Sequence, residues 1–334
     1  MTNSLTEARQ RAAVGTFYVV MNGRSGHGDT DAACERIKTV LDAAGRKHEF
    51  LIVEPTKLKT TAARAVQLAL ENGGVVVAAG GDGTINTVAH AVLGSGVPFA
   101  VLPQGTFNYF GRANGIPEDP TAAAKVLVEG ELKLVQVGRL NDRIFLVNAS
   151  LGLYPKLLKM READKARFGR WRLVAFASAM FTLLRSHRQL DLTMQAEGKQ
   201  RMVRTLALFV GNNALQLERI GIQPAHRAAL DRGELVGTVL RPISAMGMLG
   251  LILRGAVGRL GDAEQVQSFG FRTLAVSPRW RRDSKVGIDG EVCEMRAPLT
   301  FSVASEPLWL LTPPPVSGDD VIVPITAADA EVSA

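Results

Sequence analysis

The 334-residue sequence predicts a two-domain protein, with an α/β domain built on a parallel sheet followed by a β-rich antiparallel domain. Two observations carry this prediction. Up to about residue 130, apolar runs alternate with helical patterns, which is typical of parallel strands joined by right-handed crossovers. Beyond residue 130, short apolar runs follow one another with turn residues between them, which is typical of antiparallel strands.

The first domain is expected over residues 15–130, after a loose arm of residues 1–14. The predicted strands are Thr16–Met21, His48–Val53, Val75–Ala79 and Phe99–Leu102, and the predicted helices are Thr30–Ala44, Thr60–Glu71, Thr84–Leu93 and Thr121–Glu129. Ligands of open parallel sheets bind at the carboxyl ends of the strands, where three loops of this chain converge. The sequence therefore places a binding site at that edge.

The second domain is expected over residues 131–312, and its last segment, near 300–312, is able to pack back on the first domain. Its predicted strands are Leu132–Leu140, Arg143–Ser150, Leu190–Gln195, Thr205–Gly211, Glu234–Leu240, Val266–Val276 and Lys285–Ile288. The tract Pro155–Leu184 begins basic and becomes apolar, a pattern that fits a core helix and a helix on an anionic bilayer equally well. The acidic tail, residues 313–334, is predicted to be disordered.

The net charge of +7 conceals a more basic body, because residues 313–334 hold four acids and no Lys or Arg, which leaves +11 on residues 1–312. Such a body suits a nucleotide, an anionic membrane or nucleic acid. Three Tyr and three Trp without an aromatic-basic repeat make nucleic acid the weakest of these. Two distant cysteines suggest neither a disulfide framework nor a zinc site, and no apolar run is long enough to span a membrane.

The clearest candidate binding element is the glycine turn Gly80-Gly-Asp-Gly-Thr-Ile-Asn86, which follows a buried strand. Positive φ at its three glycines is expected to turn backbone N–H groups toward an anion, assisted by the positive end of the next helix. Asp82 beside a phosphate implies a metal ion or a proton transfer. A tight turn with Asp82 as a helix cap explains the same residues, and spacing alone does not decide between the two.

A second loop, Leu102-Pro-Gln-Gly-Thr-Phe-Asn108, decides between a phosphate-binding turn and a purely structural one. Together with the glycine turn at this spacing, it resembles the paired signatures of the diacylglycerol kinase catalytic-domain family, which includes bacterial lipid kinases and the sphingosine and ceramide kinases. The NAD kinases share only the glycine turn. Further segments similar to the family are Asn22–Gly26, Val147–Gly152, Phe168–Arg172, Leu230–Leu235 and Ile288–Glu291, so the resemblance covers roughly residues 15–312.

Four residues depart from the family's pattern. Gly23 stands where proline is usual, Thr87 where glutamate is usual, and Tyr109 where aspartate is usual. Arg232 replaces a second aspartate in a region that holds a structural magnesium ion in some relatives, which leaves Asp231 as the remaining acid there. The departures at Thr87 and Tyr109 alter polar contacts expected near the nucleotide.

The resemblance implies an ATP- and Mg²⁺-dependent kinase that phosphorylates the hydroxyl of a membrane lipid such as diacylglycerol. The implied catalytic residues are Asp82, Asp289 and Glu291, and the implied metal ligands are Asp82 and Asp231. The implied nucleotide-binding residues are Asn22, Ser25, Gly26, Thr56, Gly80, Gly81, Gly83, Thr84, Asn86, Gly105, Thr106 and Asn108. Because phosphoryl transfer needs a carboxylate to accept the hydroxyl proton, we expect Asp82 at the metal and phosphates and Asp289 with Glu291 at the base end.

The expected partners are the lipid substrate and an anionic membrane surface, without nucleic acid and with a homodimer left open. The expected location is the cytoplasm, peripheral at the inner face of the membrane. Two other functions remain open from the sequence: a NAD kinase-like enzyme that phosphorylates a soluble substrate, and a non-catalytic regulator that binds lipid or nucleotide.

Overall fold

The computed structural model of the chain describes residues 2–23, 30–152, 189–242, 266–279 and 283–315. The predicted tract Pro155–Leu184 lies outside these residues, as does the acidic tail from residue 316 onward. Within the described ranges, no helix is long and apolar enough to cross a membrane.

Strands and helices are numbered in chain order. The strands are β1 (Thr16–Asn22), β2 (His48–Val53), β3 (Gly74–Gly80), β4 (Phe99–Pro103), β5 (Glu131–Val135), β6 (Gly138–Leu140), β7 (Arg143–Phe145), β8 (Asn148–Gly152), β9 (Leu190–Ala196), β10 (Lys199–Thr205), β11 (Ala207–Gly211), β12 (Leu235–Leu240), β13 (Val266–Phe271), β14 (Thr273–Pro278), β15 (Asp283–Ile288), β16 (Glu291–Arg296), β17 (Leu299–Val303) and β18 (Leu308–Thr312). The helices are α1 (Thr2–Val14), α2 (Thr30–Ala43), α3 (Leu58–Asn72), α4 (Asp82–Val92), α5 (Tyr109–Ala113), α6 (Pro120–Glu129), α7 (Ala214–Arg219) and α8 (Pro224–Arg227).

The first domain is built on a six-stranded sheet in the order β2-β1-β3-β4-β18-β5. β1 pairs in parallel with β2 and β3, and β4 pairs in parallel with β3 and β18. All seven residues of β3 are buried, as expected for a central parallel strand whose two faces are covered by helices. The prediction of an α/β region with a parallel sheet is confirmed.

The strands at the far edge of this sheet differ from the expected domain division. Residues 131–135, predicted to open the second domain, form β5 and pair antiparallel with β18. β18 itself, from the segment near 300–312, lies between β4 and β5. The chain therefore returns to the first domain after completing the second, and the first sheet contains strands from distant parts of the sequence.

Residues 2–14 form α1 instead of the expected loose arm. Ala8 of this helix is fully buried. Arg11 donates a hydrogen bond to the carbonyl of Ala69 at 2.6 Å, and Arg46 donates one to the carbonyl of Ala12 at 2.7 Å. These contacts attach α1 to the amino-terminal end of the parallel sheet.

The second domain is a β-sandwich. β6 to β17 form two antiparallel sheets of six strands, in the orders β10-β9-β14-β17-β6-β7 and β13-β12-β11-β8-β15-β16. Both sheets supply the apolar core between them, for example Met194 and Phe301 from one and Leu151 and Val210 from the other. Face-to-face packing of this kind buries the inward side chains of alternate residues, and the predicted antiparallel β-rich region is confirmed.

The two domains meet at the carboxyl edge of the parallel sheet. β3 and β4 end there and lead into α4 and α5, and the turn between β15 and β16 reaches the same edge from the sandwich. A hydrogen bond of 2.7 Å between the amide of Asn86 in α4 and the carboxylate of Asp289 in that turn joins the two sides. The predicted loops of both domains are thereby brought to one cleft.

Candidate active site

The glycine turn after β3 is shaped by close contact and not by positive φ. Among the described glycines, Gly80, Gly81 and Gly83 are absent from those with positive φ, so the expectation of left-handed glycines is wrong. A Cβ at Gly80 would lie 2.7 Å from the side chain of Thr84, and a Cβ at Gly105 would lie 2.7 Å from the Cα of Gly81. Glycine is required here because the two signature loops touch backbone to backbone.

The second loop is organised by Asn108, which is buried and adopts the left-handed conformation with φ 49°. Its Oδ1 accepts a hydrogen bond from the backbone of Gly105 at 2.8 Å. Its Nδ2 donates to the carbonyl of Gly105 at 3.0 Å and to Oε1 of Glu118 at 3.2 Å. Asparagine tolerates this conformation better than most residues, so Asn108 fixes the loop that faces the glycine turn.

Asp82 joins the two loops. It is the first residue of α4, and its carboxylate oxygens accept long hydrogen bonds of 3.4 Å from the backbone N–H groups of Tyr109 and Phe110 at the start of α5. Burial raises the pKa of Asp82, and these N–H groups oppose that rise. Asp82 therefore caps the neighbouring helix α5, and the contacts are long enough to leave lone pairs for another ligand.

Asp289 is enclosed between the domains. The residue as a whole is partly exposed, but its carboxyl group is buried, and burial raises the pKa of that group to about 6 against the opposing hydrogen bonds. Oδ2 accepts from Nδ2 of Asn86 and from the backbone of Leu146, both at 2.7 Å. Oδ1 accepts from the backbones of Val147 and Asn148, both at 2.9 Å. Four donors thus occupy the two oxygens.

The two acids expected at the base end take different positions. Asp289 lies in the turn after β15 with φ 44°, so it and Glu291 do not share one face of an extended strand. Glu291 begins β16 and is exposed. Its Oε1 lies 3.1 Å from the position that a Cβ would occupy at Gly83, the residue after Asp82. The structure therefore brings Glu291 to the glycine turn, whereas it commits Asp289 to internal hydrogen bonds.

Other predicted nucleotide-binding residues lie along the same edge. Asn22, at the end of β1, donates to Oγ1 of Thr84 at 3.4 Å. Thr56 is exposed in the short 3-10 turn after β2, and Thr106 is exposed in the loop after β4. The predicted residues Ser25 and Gly26 lie outside the described residues.

Asp231, the second predicted metal ligand, is exposed in the 3-10 turn Leu230–Arg232 that precedes β12. Its neighbour Arg232 pairs with Glu234 at 2.9 Å, and Arg272 donates to the carbonyl of Arg232 at 3.0 Å. Throughout the described ranges, no three His, Cys, Asp or Glu side chains form a cluster that could hold a metal ion. A metal at Asp231 therefore stays a prediction.

Two contacts at the cleft involve residues that sequence reasoning did not single out. Asn213, which caps α7, donates to the carbonyl of Tyr109 at 3.1 Å, and the guanidinium of Arg219 lies 5.6 Å from the centre of the Tyr109 ring. Tyr109 also stacks on Phe107, with ring centres 5.8 Å apart. The sequence carried one sign of these contacts, namely that Tyr109 stands where the resembled family has aspartate. The loop that contacts Asp82 is thus also held by the second domain.

Gln104 is a further residue that the sequence did not mark. Its Nε2 is buried and has no hydrogen-bond partner within the described part of the chain. Its backbone N–H donates to the carbonyl of Gly80 at 2.9 Å, which ties the two signature loops together. A buried amide without a partner costs free energy unless a ligand or water completes it, so Gln104 is a candidate donor to a bound ligand.

The chain is similar to known lipid kinases in part of its sequence. Residues 16–140 match the model of the diacylglycerol kinase catalytic domain. The "Probable lipid kinase YegS-like" of Cronobacter sakazakii is 34% identical over 140 residues, which are 40% of this chain and 45% of that protein. A diacylglycerol kinase of Staphylococcus saprophyticus is 38% identical over 115 residues, which are 34% of this chain and 37% of that protein. The chain therefore spans less than half the length of these relatives.

The fold is similar to a solved structure over nearly the whole chain. A crystal structure of a diacylglycerol kinase from Bacillus anthracis superposes with a TM-score of 0.68, covering 90% of this chain and 98% of that one. The sequence identity is 19%, so this likeness concerns the fold alone.

We predict that Asp289→Asn lowers the free energy of unfolding by about 3 kcal/mol near pH 5, because either amide orientation places an NH₂ group against donors in a buried site. A raised pKa in the folded state stabilises the protein below the unfolded pKa of 3.8, and this contribution is lost as the pH rises through about 6. The gap between the wild type and the variant should therefore narrow by about 2 kcal/mol between pH 4.5 and pH 7.

Urea unfolding at both pH values measures this gap. Asp231→Asn, at an exposed acid, is the matched substitution and should change stability by less than about 0.5 kcal/mol. If the difference in unfolding free energy between the wild type and Asp289→Asn stays constant or widens with rising pH, the raised pKa of Asp289 is contradicted.

Proposed function

We propose that this chain, whose residues 16–140 belong to the diacylglycerol kinase catalytic-domain family, transfers the γ-phosphate of ATP to the hydroxyl of a membrane lipid such as diacylglycerol. The observation that carries the proposal is the approach of Glu291, from the sandwich, to the glycine turn that contains Asp82. Phosphoryl transfer between a nucleotide and an alcohol needs phosphate binding and a carboxylate facing the hydroxyl. The cleft offers both in one place.

The nucleotide would lie along the carboxyl edge of the parallel sheet. At Gly81 and Gly105 the two loops touch backbone to backbone and carry no side chain, so a phosphate could approach the backbone beside the amino-terminal end of α4, which favours anions. Thr106 is an exposed hydroxyl on the same edge, and Gln104 offers a buried amide that has no hydrogen-bond partner among the described residues. Ser25 and Gly26 would complete the phosphate contacts from the loop after β1.

The residues present fit a magnesium ion at Asp82. Magnesium accompanying a nucleotide takes one or two carboxylates and fills its other positions with phosphate oxygens and water, so a cluster of three acids is not required. Within the described residues, the hydrogen bonds that the carboxylate of Asp82 accepts from Tyr109 and Phe110 are long, at 3.4 Å, and they leave lone pairs on both oxygens. When bound, the ion would neutralise charge on the phosphates.

The three acids would have three roles. A general base must reach the hydroxyl with a free lone pair, and Glu291 is exposed at the cleft. Asp289 lacks that freedom because four donors surround its carboxylate. We therefore assign proton acceptance to Glu291, the metal and phosphate side to Asp82, and positioning of the β15–β16 turn to Asp289.

The lipid would be presented by a membrane. A body with a net charge of +11 over residues 1–312 favours an anionic surface, where each basic residue near the headgroups adds attraction. We propose that the protein works at the cytoplasmic face of such a membrane, with the cleft receiving the hydroxyl of the lipid head.

The substrate class is tested by transfer of label from γ-labelled ATP to diacylglycerol, sphingoid bases, ceramide, polyprenols and NAD. We expect label in a lipid hydroxyl only when Mg²⁺ is present, and a loss of at least about 100-fold in Asp82→Asn, because charge stabilisation at the transferred phosphate is lost. Label in NAD alone would favour a NAD kinase-like enzyme. Label in none of the acceptors would favour a non-catalytic regulator.

Glu291→Gln should lower kcat by about 10²- to 10⁴-fold while changing the KM for ATP little, because it removes the proton acceptor and leaves the phosphate loops intact. Glu294→Gln is the matched control, since Glu294 lies on the same strand and pairs with Lys285 at 3.8 Å, away from the glycine turn. Full turnover in Glu291→Gln would exclude this residue as the base.

A further inference from the structure

A cavity of about 610 Å³ opens at the side of the β-sandwich. It lies between β9 and β10 of one sheet and β12 and β13 of the other. β10 and β13 are edge strands of their sheets, and among the described residues no further strand closes the space between them. Its volume is within the range of sites that hold small organic ligands.

The walls of the cavity are apolar. Met194, Val239 and Leu274 are buried residues of the sandwich core, and Val203 and Phe269 pack against that core. Val203 faces Leu192 across the strand pair, and Phe269 faces Gly237. Residues paired in this way point to the same side of their sheet, so these side chains line the inside of the cavity and not its outer surface.

The mouth of the cavity is basic. Lys199 and Arg201 on β10 are paired with Ala196 and Met194, which places them on the inward face, and Arg241 lines the cavity from the end of β12. None of these three cations forms an ion pair within the described residues. Arg204 also lines the cavity, but it is neutralised by Asp191 at 2.8 Å. Glu197 is the single acid in the lining, so positive charge is in excess.

The cavity is separate from the candidate active site. Val239 lies on β12, three strands away from β15 in the order β12-β11-β8-β15. With strands about 4.8 Å apart and a rise of about 3.4 Å per residue, the cavity wall is roughly 15–20 Å from Asp289. No residue of the glycine turn or of the second loop lines it.

We propose that this cavity binds an anionic amphiphile with a single acyl chain, such as a long-chain fatty acid. The chain would occupy the apolar space between the sheets, where burial of hydrocarbon is favourable. The anionic head group would lie at the mouth against Lys199, Arg201 and Arg241, and Arg can donate two parallel hydrogen bonds to a carboxylate or a phosphate. The site is a second lipid site that takes no part in phosphoryl transfer.

Isothermal titration of the full chain tests the ligand chemistry. Oleate and lysophosphatidic acid, each below its micellar concentration, carry the same type of acyl chain. Their head groups differ, so the two ligands show whether the basic mouth binds a carboxylate or a phosphate. We expect saturable binding of at least one of them, binding at least 10-fold weaker for oleyl alcohol, and none for butyrate. Binding of neither anionic amphiphile, or association only with phosphatidylglycerol vesicles, would overturn the proposal.

Variants locate the site. Lys199→Glu with Arg201→Glu should weaken binding at least 10-fold, because two of the cations at the mouth are replaced by acids. Both substitutions keep a charged side chain on the edge strand β10, so the strand stays protected against pairing with the edge of another sheet. Lys38→Glu with Lys133→Glu makes the same change in net charge on the first domain and should leave affinity within about 2-fold. Ala196→Phe should abolish binding by filling the cavity without altering charge.

Equal weakening by the two charge pairs would show non-specific attraction and overturn the assignment, as would full binding by Ala196→Phe. The titration requires no turnover. Its failure would therefore leave the proposed kinase activity untouched, and failure of the kinase assay would leave this site standing.

Discussion

The buried carboxylate of Asp289 is the interaction on which the cleft depends. It accepts hydrogen bonds from Asn86 in α4 of the first domain and from three consecutive backbone N–H groups, Leu146 to Asn148, at the start of β8 in the second. A buried carboxylate is stable only when its oxygens are hydrogen-bonded. The second domain supplies Asp289 and three of its donors, and the first domain supplies the fourth donor, Asn86. The backbone N–H of Asp289 also donates a hydrogen bond to the carbonyl of Asn148 at 2.9 Å. The side chain and the backbone of Asp289 therefore both fix the β15–β16 turn.

This arrangement determines which acids remain available for chemistry. Because Asp289 is held inward, the next strand starts with Glu291 beside Gly83. Asp82 is positioned separately, through the start of α5, and Asn213 holds the same loop from the second domain. The two available carboxylates therefore come from different domains, and the distance between them depends on how the domains meet. A raised pKa at Asp289 makes this joint a place where pH affects stability.

Part of the fold and of the candidate site could be predicted from the sequence, because those parts depend on contacts between residues close together in the chain. The buried run of β3, the position of the glycine turn after it and the loop around Asn108 follow from neighbouring residues, whereas the φ angles of the turn do not, because Gly81 contacts Gly105 of the second loop. The sequence analysis expected the segment near 300–312 to be able to pack back on the first domain, but the place of β18 between β4 and β5 could not be predicted, since it pairs residues more than 170 positions apart. Asp289 and Glu291 looked equivalent because their orientation depends on the positive φ at Asp289, which a spacing of two residues does not reveal.

The joint between the domains is tested most directly by a double-mutant cycle on the free energy of unfolding, with Asn86→Ala, Asp289→Ala and the double variant. Residues that share a buried hydrogen bond show coupling of about 0.5–3 kcal/mol, whereas independent sites add within about 0.3–0.5 kcal/mol. A hydrogen bond of 2.7 Å to a buried carboxylate predicts coupling above about 1 kcal/mol. Additive effects of the two substitutions would contradict a joint held by this pair.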